Sequence, residues 1–510
     1  MPDILDEIVS RRKADLSRLG PEFGSSVPAH RLRAVVPFLD VPGAILEVKR
    51  ASPSKGDIAP GLDPVTVVGQ YAAAGARNVS VLTERNYFKG SLDDLVAVSS
   101  RYPAVSFLRK DFVTGEDEIE VSYRAGADAV LLIARILDAR TLLRLAASCR
   151  SFGMTAFVEV RDRDDLDKLD RAFAAGPVLA GVNSRDLATF RIDPLVPATL
   201  RSRLPCRTVF ESGTSTPGAA RFARRLGFDG ILIGEAAARD PESAGALVSS
   251  FLGSRPDWVG QFWREIARRA AARRESGGNA NVSGGHARAS GAFRPLVKVC
   301  GITNADDALM AASLGADLLG FVFAESPRET DAATVRSIAS ALDALPSRPL
   351  LVGVIVDASG ERAKTAYALA LDGVLDAVQY HGENALADFA RIDEAGGQYG
   401  IGRYAVVRLG SEDDLAKIDE LAANGEPRVL VDARVAGIAG GTGSTIPKSL
   451  VRRLSERGVL WIAGGINPAN VRGYIDEFAP ELLDASSGLE SVPGKKDHVA
   501  LKAFFREIDR

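Results

Sequence analysis

The chain has 510 residues, 46% of them hydrophobic and 25% charged, with a formal net charge of −3 and a pI near 6.0. That length exceeds what one typical core supports, so two or three globular domains are expected, and the charge balance provides no field for wrapping nucleic acid. The cysteines Cys149, Cys206 and Cys300 are too scattered for a disulfide framework or a paired metal site, which suits a reducing compartment.

At the N-terminus, MPDILDEIVSRRKADL mixes acids and bases and lacks an apolar signal core. No apolar run approaches the roughly 20 residues needed to cross a bilayer, so a cytoplasmic protein without membrane partners is expected. Short β-rich runs then alternate with helical stretches: AILEVKR, NVSVLTE, AVSFLRKDF, AVLLIA, TAFVEV, LAGVNS, TVFESG and GILIGE. They are near-continuous apolar runs, as expected for parallel strands buried on both faces. WVGQFWREIARRAAARR follows, read as a helix with a solvated basic face. The segment from Ala272 to Phe293, ARRESGGNANVSGGHARASGAF, has no hydrophobic period and reads as a flexible linker.

After the linker the rhythm repeats in VKVCG, LLGFVF, LLVGVIV, AVQYHG, YAVVRLG, RVLVDAR, VLWIAGG and LLDASSG. Eight strands alternating with helices in about 200–250 residues is the period of a (β/α)8 barrel. The fold class is therefore α/β, two tandem (β/α)8 TIM barrels joined by a flexible linker. The expected domains are 1–255, a barrel with an N-terminal helical extension; 256–293, helix and linker; and 294–510, the second barrel.

The halves also resemble each other near their ends. FESGTSTPGAARFARRLGFDGILIGEA parallels IAGGINPANVRGYIDEFAPELLDASSG, each with a strand ending in glycine, a helix, and a strand ending in small residues. Barrels commonly bind phosphate with the loops after strands seven and eight. A barrel also keeps its chemistry at the C-terminal strand ends. In the first half these carry Glu47 and Lys49, Glu84, Lys110 and Asp111, Glu159, Asn183 and Arg185, and Glu211 with Ser212. Lysines beside carboxylates suit acid–base work on an anionic substrate. In the second half Cys300 ends the first strand; read alone, such a cysteine packs as a small hydrophobe.

EVKRASPSKG (Glu47 to Gly56), FLRKDF, FVEV, GVNSRDL, ESG and LIGE resemble indole-3-glycerol-phosphate synthase from about Met1 to Gly253. The helices before AILEVKR resemble that family's extension over the barrel mouth. VKVCGIT, GFVFAESPR, VQYHG, VLVDAR with GGTG, IAGGINPANV and DASSGLESVPGKKD resemble phosphoribosylanthranilate isomerase from about Arg294 to Arg510. The resemblance implies two consecutive steps of tryptophan biosynthesis on one chain, with the later step in the first domain.

For the second half it implies Cys300 as general base and Asp432 as general acid of an Amadori rearrangement, with Arg328 on the anthranilate carboxylate. Gly464, Gly465, Ser486 and Ser487 would hold phosphate, His381 would be structural or position the substrate, and GGTG (Gly440 to Gly443) would be a closing loop. For the first half it implies Lys110 as general acid and Glu159 as base for the dehydration. Lys49 would bind the substrate and rival Lys110 as acid in one step, and Glu47 would orient either lysine. Asn183, Arg185, Glu211 and Ser212 would position the substrate, with Ser52, Ser54, Gly213, Gly234 and Glu235 at the phosphate end.

No cofactor and no metal are called for, the partners are small phosphorylated molecules, and a monomer is compatible with the sequence, which does not fix the assembly. Departures from the families are modest: threonine after ESG, alanines after LIGE, Tyr380 where leucine is common, and STIPKSL without an aromatic. Two other readings keep the barrels. One makes a barrel a different sugar-phosphate isomerase, which should carry aspartates at the ends of strands one and five, where this half has Cys300 and Arg408. The other makes one barrel a non-catalytic scaffold.

Overall fold

The computed structural model describes residues 4–186, 191–276, 294–433 and 445–510. The chain divides into two compact units, the first ending at Pro256 and the second beginning at Asp257. Each contains a closed barrel of eight parallel strands in chain order.

The first barrel comprises β1 (Gly43–Val48), β2 (Asn78–Leu82), β3 (Ser106–Lys110), β4 (Ala129–Ile133), β5 (Thr155–Val160), β6 (Leu179–Asn183), β7 (Thr208–Glu211) and β8 (Gly230–Ile233), with β8 pairing back onto β1. The second comprises β9 (Leu296–Cys300), β10 (Leu318–Val322), β11 (Leu350–Ile355), β12 (Ala377–Tyr380), β13 (Arg403–Leu409), β14 (Val429–Ala433), β15 (Trp461–Ile462) and β16 (Leu482–Ala485), with β16 closing on β9. All sixteen apolar runs became strands because each is sandwiched between a filled lumen and a coat of helices.

Alternation along each strand decides what reaches the site. Successive side chains point to opposite faces, so residues two apart share the lumen. In the first barrel Ile45, Leu108, Phe157, Val209 and Leu232 form one apolar lumenal cluster. Two residues further along lie Glu47, Lys110, Glu159, Glu211 and Gly234, which places the polar set at the C-terminal mouth.

The N-terminal extension closes both ends of this barrel. It holds one helix, Ile4–Leu19, where a helix pair was expected; residues 20–42 run on as turns and bends. Leu5 and Ile8 join the lumenal cluster from above. Phe38 and Leu39 join the same cluster, the Leu39 amide donating to Asn78 Oδ1 at the start of β2 (2.9 Å). Arg31 and Arg33 clamp Asp128, just before β4, at 2.6 and 2.8 Å.

The helix Trp258–Ser276 packs on the N-terminal face of the second barrel. Phe262 stacks on Tyr404 (centroids 6.0 Å apart), and Trp263, fully buried, packs on Trp461 at 5.6 Å. Part of the basic face expected to be solvated is instead committed to this docking, while Arg268 stays exposed on a local pair with Glu265. Arg273 pairs with Asp317 at 2.9 Å, Arg274 with Glu481 at 2.6 Å, and Arg269 donates to the carbonyls of Asp317 and Arg348. Local pattern could not show this, because these partners on the barrel lie at least 40 residues away. Among the described residues, no helix is long and apolar enough to cross a membrane.

All three tryptophans, Trp258, Trp263 and Trp461, lie in the second unit, so their emission reports its folding alone. Trp263→Ala is expected to destabilise that unit by about 3–5 kcal/mol through the cavity it leaves. The check is denaturant unfolding followed by tryptophan emission; an unshifted midpoint would remove the helix from the second unit's core.

Candidate active sites

A cavity of about 420 Å³ opens at the mouth of the first barrel. It gathers Glu47, Lys49, Ser52, Ser54, Lys110, Glu159, Asn183, Arg185, Glu211, Ser212, Gly213, Gly234 and Glu235 along one wall or another. Lys110 is its hub. Its ammonium lies 2.7 Å from Glu211 Oε2 and 3.8 Å from Glu47 Oε2, and Lys49 reaches Glu47 Oε1 at 3.4 Å. Burial opposes the Lys110 charge, but Glu211, Glu47 and Glu159 outweigh it and hold the pKa above the ordinary lysine value. Burial likewise pushes the Glu211 carboxyl up to about 7, against the pull of Lys110 and with the push of Glu159. The Glu211 carboxyl, beside a Lys110 that stays charged, is therefore placed to exchange a proton near neutrality. Asn183 Nδ2 stands 3.5 Å from Glu159 Oε1 and holds the Arg185 amide through its own Oδ1 at 2.9 Å.

Two strand-end acids found other work. Glu84 accepts the amides of Asn86, Tyr87 and Phe88 at 2.7–3.0 Å and caps a loop. Asp111 is bound by Arg12 (2.9 Å) and Arg109 (3.0 Å); burial alone would raise its pKa, but the two guanidinium groups hold it well below the usual carboxylate range. Arg12 belongs to the N-terminal helix, whose Ile4, Leu5 and Ile8 form an apolar wall of the cavity. Sequence reading expected this extension over the mouth but did not name its wall residues or their partners Phe88, Phe112, Leu131 and Ile133. The signal was the apolar spacing Ile4, Leu5, Ile8 with Arg12 on the same face of the helix.

At the end of the mouth expected to take phosphate, Ser212 and Gly213 follow β7 with φ of 67° and 77°. A side chain at Gly213 would meet Ile192 Cγ2 at 2.8 Å, so glycine is needed there for shape as well as for conformation. Ser184 Oγ donates to the Ser212 carbonyl at 3.0 Å and steadies the turn.

The second barrel holds a cavity of about 420 Å³ lined by Cys300, Arg328, His381, Asp432, Gly464, Gly465, Ser486 and Ser487. Gly464 and Gly465 follow β15 with φ of 92° and 63°, and a Cβ at Gly464 would strike Asp432 Oδ1 at 2.8 Å. Asn467 and Asn470 donate to the Gly465 carbonyl at 3.1 and 2.9 Å, fixing that turn. Burial pushes the Asp432 carboxyl up to about 6, with Asp484 adding to the push and the Ala433 amide opposing it. Burial also raises the Cys300 thiol, while Lys298 and Lys496 pull it back. His381, 3.5 Å from Asp432, is pushed down to about 4 by burial and by Arg408 and Lys298, so it is neutral at physiological pH.

Arg328 faces the cavity with Nε and Nη2 engaged by both oxygens of Glu490 at 2.8–3.1 Å. Sequence reading also missed Lys298 and Asp484, a wholly buried pair 2.6 Å apart beneath Cys300, and Gln379 on the wall. Lys298 is a single charge in the apolar run VKVCG; its register partner Asp484 becomes visible only when β16 closes on β9. GGTG lies outside the described residues. Among the described residues, no cluster of three or more His, Cys, Asp or Glu side chains could hold a metal ion.

Arg12→Ala leaves the buried carboxylates of Asp111 and Glu118 to share the single guanidinium of Arg109 and is expected to cost about 3–5 kcal/mol. The helix Ile4–Leu19 should then lose its hydrogen-exchange protection; retained protection would assign the seating of the helix to Leu5 and Ile8 alone.

A family model described as "Indole-3-glycerol phosphate synthase" matches residues 8–248, and one described as "N-(5'phosphoribosyl)anthranilate (PRA) isomerase" matches residues 297–507. The chain is 30% identical to the "Multifunctional tryptophan biosynthesis protein" of Phycomyces blakesleeanus, covering 91% of this chain and 62% of that protein. It thus spans under two thirds of the length of that relative. The "Indole-3-glycerol phosphate synthase" of Dehalococcoides mccartyi is 38% identical over 46% of this chain and 94% of its own. The solved phosphoribosyl anthranilate isomerase from Thermotoga maritima matches 42% of this chain and 98% of its own at 34% identity, with a TM-score of 0.35. The chain therefore belongs to the indole-3-glycerol phosphate synthase family in its first barrel and to the phosphoribosylanthranilate isomerase family in its second.

Proposed function

We propose that the chain is a bifunctional enzyme of tryptophan biosynthesis whose second barrel makes the substrate of its first. The observation that carries this reading is that each barrel mouth holds a complete acid–base set beside a glycine turn suited to phosphate.

In the second barrel the substrate is N-(5-phosphoribosyl)anthranilate. Asp432, as the carboxylic acid, protonates the ring oxygen and opens the sugar. Cys300, as thiolate, removes the proton from C2 to give an enolamine that tautomerises to the ketone. Strands β9 and β14 bring the two groups to one cavity. Arg328 takes the anthranilate carboxylate with its planar fork. Gly464, Gly465, Ser486 and Ser487 hold the phosphate, and neutral His381 positions the substrate beside Asp432.

In the first barrel the ketone carbon is attacked by the ring carbon bearing the carboxylate. Carbon dioxide leaves, and the former ketone oxygen departs as water. Lys110 protonates the carbonyl or the departing hydroxyl, with Lys49 its rival as acid in one of these steps; Glu159 takes the proton of the dehydration, and Glu47 orients either lysine. Support for Lys110 as acid is its place between Glu211 and Glu47 at the centre of the cavity. Lys49, with Ser52, Ser54, Gly213, Gly234 and Glu235, serves the carboxylate and phosphate end. Asn183, Arg185, Glu211 and Ser212 position the remainder. The apolar wall of Ile4, Leu5 and Ile8 covers the aromatic ring and keeps water from the decarboxylation.

Cys300→Ala is expected to abolish isomerase turnover while the synthase survives, and Lys110→Ala to do the converse. The assay follows loss of phosphoribosylanthranilate fluorescence together with the rise of indole absorbance. Near-normal isomerase turnover in Cys300→Ala would sink its role as base.

The isomerase pH profile has a defined shape. The productive state pairs thiolate with carboxylic acid, yet Asp432 ionises near 6 and the thiol above its ordinary value. Between these two points every gain in thiolate is matched by an equal loss of acid, so kcat/KM is flat. It falls below about pH 6 because thiolate keeps declining, and above the thiol value because the acid keeps declining. A steady rise across neutral pH would move the proton donor away from Asp432.

A further inference from the structure

The last loop of the second barrel carries charges that the reading above leaves unused. After β16 a short turn leads into a hairpin of Glu490–Val492 with Lys495–Lys496, turned tightly at Gly494 (φ 82°). Three side chains at its base are almost wholly out of solvent. Exposure is 0% for the Lys496 side chain, 4% for that of Glu490 and 14% for that of Arg328.

Their geometry joins three separate loops. Lys496 Nζ donates to the Cys300 carbonyl at 2.6 Å, to the Ser486 carbonyl at 3.3 Å and to Glu490 Oε1 at 2.8 Å. Glu490 in turn holds Arg328 by Nε and Nη2. The hairpin is itself anchored: the Lys496 amide donates to Asp307 Oδ2 at 2.8 Å, and Thr303 Oγ1 donates to the Gly494 carbonyl at 2.5 Å. Gly301, with φ of 79°, leaves room for this approach, since a Cβ there would meet Arg328 Cδ at 2.7 Å.

We propose that Glu490 is a positioning residue for carboxylate recognition, holding the Arg328 fork at the angle the substrate carboxylate requires, with Lys496 tying that fork to the strand end that carries Cys300. The proposal rests on the reading of Arg328 as the carboxylate partner.

The charge count allows it. Arg328 and Lys496 bring two positive charges and Glu490 one negative, so the cluster keeps a net positive charge toward an incoming carboxylate. Glu490 occupies the Nε–Nη2 edge of the guanidinium, so the proposal assigns the Nη1 end to the substrate carboxylate. An arginine restrained in this way loses less rotamer freedom on binding than a free one. Orientation and charge then predict opposite results for Glu490→Gln. If Glu490 only diluted the positive charge, its removal would tighten binding of a carboxylate. If it orients the fork, removal weakens binding.

The test compares N-(5-phosphoribosyl)anthranilate with its carboxylate-free analogue N-(5-phosphoribosyl)aniline, using the full chain. Glu490→Gln is expected to lower isomerase kcat/KM about tenfold for the anthranilate substrate, mostly through KM, and less than about twofold for the aniline. Glu490→Asp, which keeps the charge on a shorter arm, should recover part of the loss. Tryptophan emission verifies that the second unit is folded in each variant. Equal losses on both substrates would assign Glu490 a structural role and overturn the proposal, as would an unchanged or lowered KM. Lys496→Met provides an independent check and should lower kcat on both substrates, because the Cys300 carbonyl loses its anchor; unchanged kcat would remove Lys496 from the tie. If the wild-type chain did not discriminate between the two substrates, Arg328 would not recognise the carboxylate, and the proposal would fall together with that reading.

Discussion

Each barrel is organised around an ammonium ion that has no business in a lumen unless a carboxylate meets it. Lys110 lies 2.7 Å from Glu211, and Lys298 lies 2.6 Å from Asp484. Removing one partner from such a buried pair leaves a charge that water cannot reach, at a cost of about 3–5 kcal/mol. These pairs depend on barrel closure, since the partners sit on different strands and meet only when the ring is complete. They also set the local electrostatics of their sites. Lys110 holds down a Glu211 that burial would drive still higher, and Lys298 restrains a thiol that burial drives up. The first pair lies among the reacting groups. The second sits one layer below Cys300, among Tyr404 and Gln379, whose side chains hydrogen-bond at 2.8 Å.

Both barrels also need a floor and a mouth. The first obtains them from one extension, with Leu5 and Ile8 above and Phe38 and Leu39 below the same apolar lumen. The second takes its floor from the helix Trp258–Ser276 and part of its mouth from the Glu490–Lys496 hairpin. In each case a segment outside the eight-fold repeat supplies what the repeat lacks. These additions carry the arginines that sequence pattern alone would give to solvent: Arg12, Arg31, Arg33, Arg269, Arg273 and Arg274.

Legibility followed the range of the interactions. The sixteen strands could be read because burial on both faces writes a local apolar run, and the two-residue repeat then places Glu47, Lys110, Glu159 and Glu211 at one end of the first barrel. The site residues came from motifs at those strand ends, and the two cavities gather them. What could not be read were partnerships across many residues. Glu84 and Asp111 look like Glu47 in sequence, yet one caps a loop and the other binds Arg12. Arg328 offers no local hint of Glu490, 162 positions later. Lys298 and Asp484 are single charges in apolar runs, meaningful only as register partners. The helices expected before β1 proved to be one helix, and the path from mouth to floor is held instead by side-chain contacts of Arg31, Arg33 and Leu39.

The floor helix of the second unit has a consequence for the order of events during synthesis. Trp263 and Arg274 leave the ribosome about 200 residues before Trp461 and Glu481, the groups they must meet. The first barrel is complete and can fold while the floor helix still presents Phe262 and Trp263 to solvent or to chaperones. Contacts of such long sequence separation form late, and they slow the folding of the unit that depends on them. The second barrel is thus the kinetically exposed half of the chain. A premature stop between the helix and Tyr404 would release a folded first domain trailing an uncovered aromatic face, a feature that quality control can recognise.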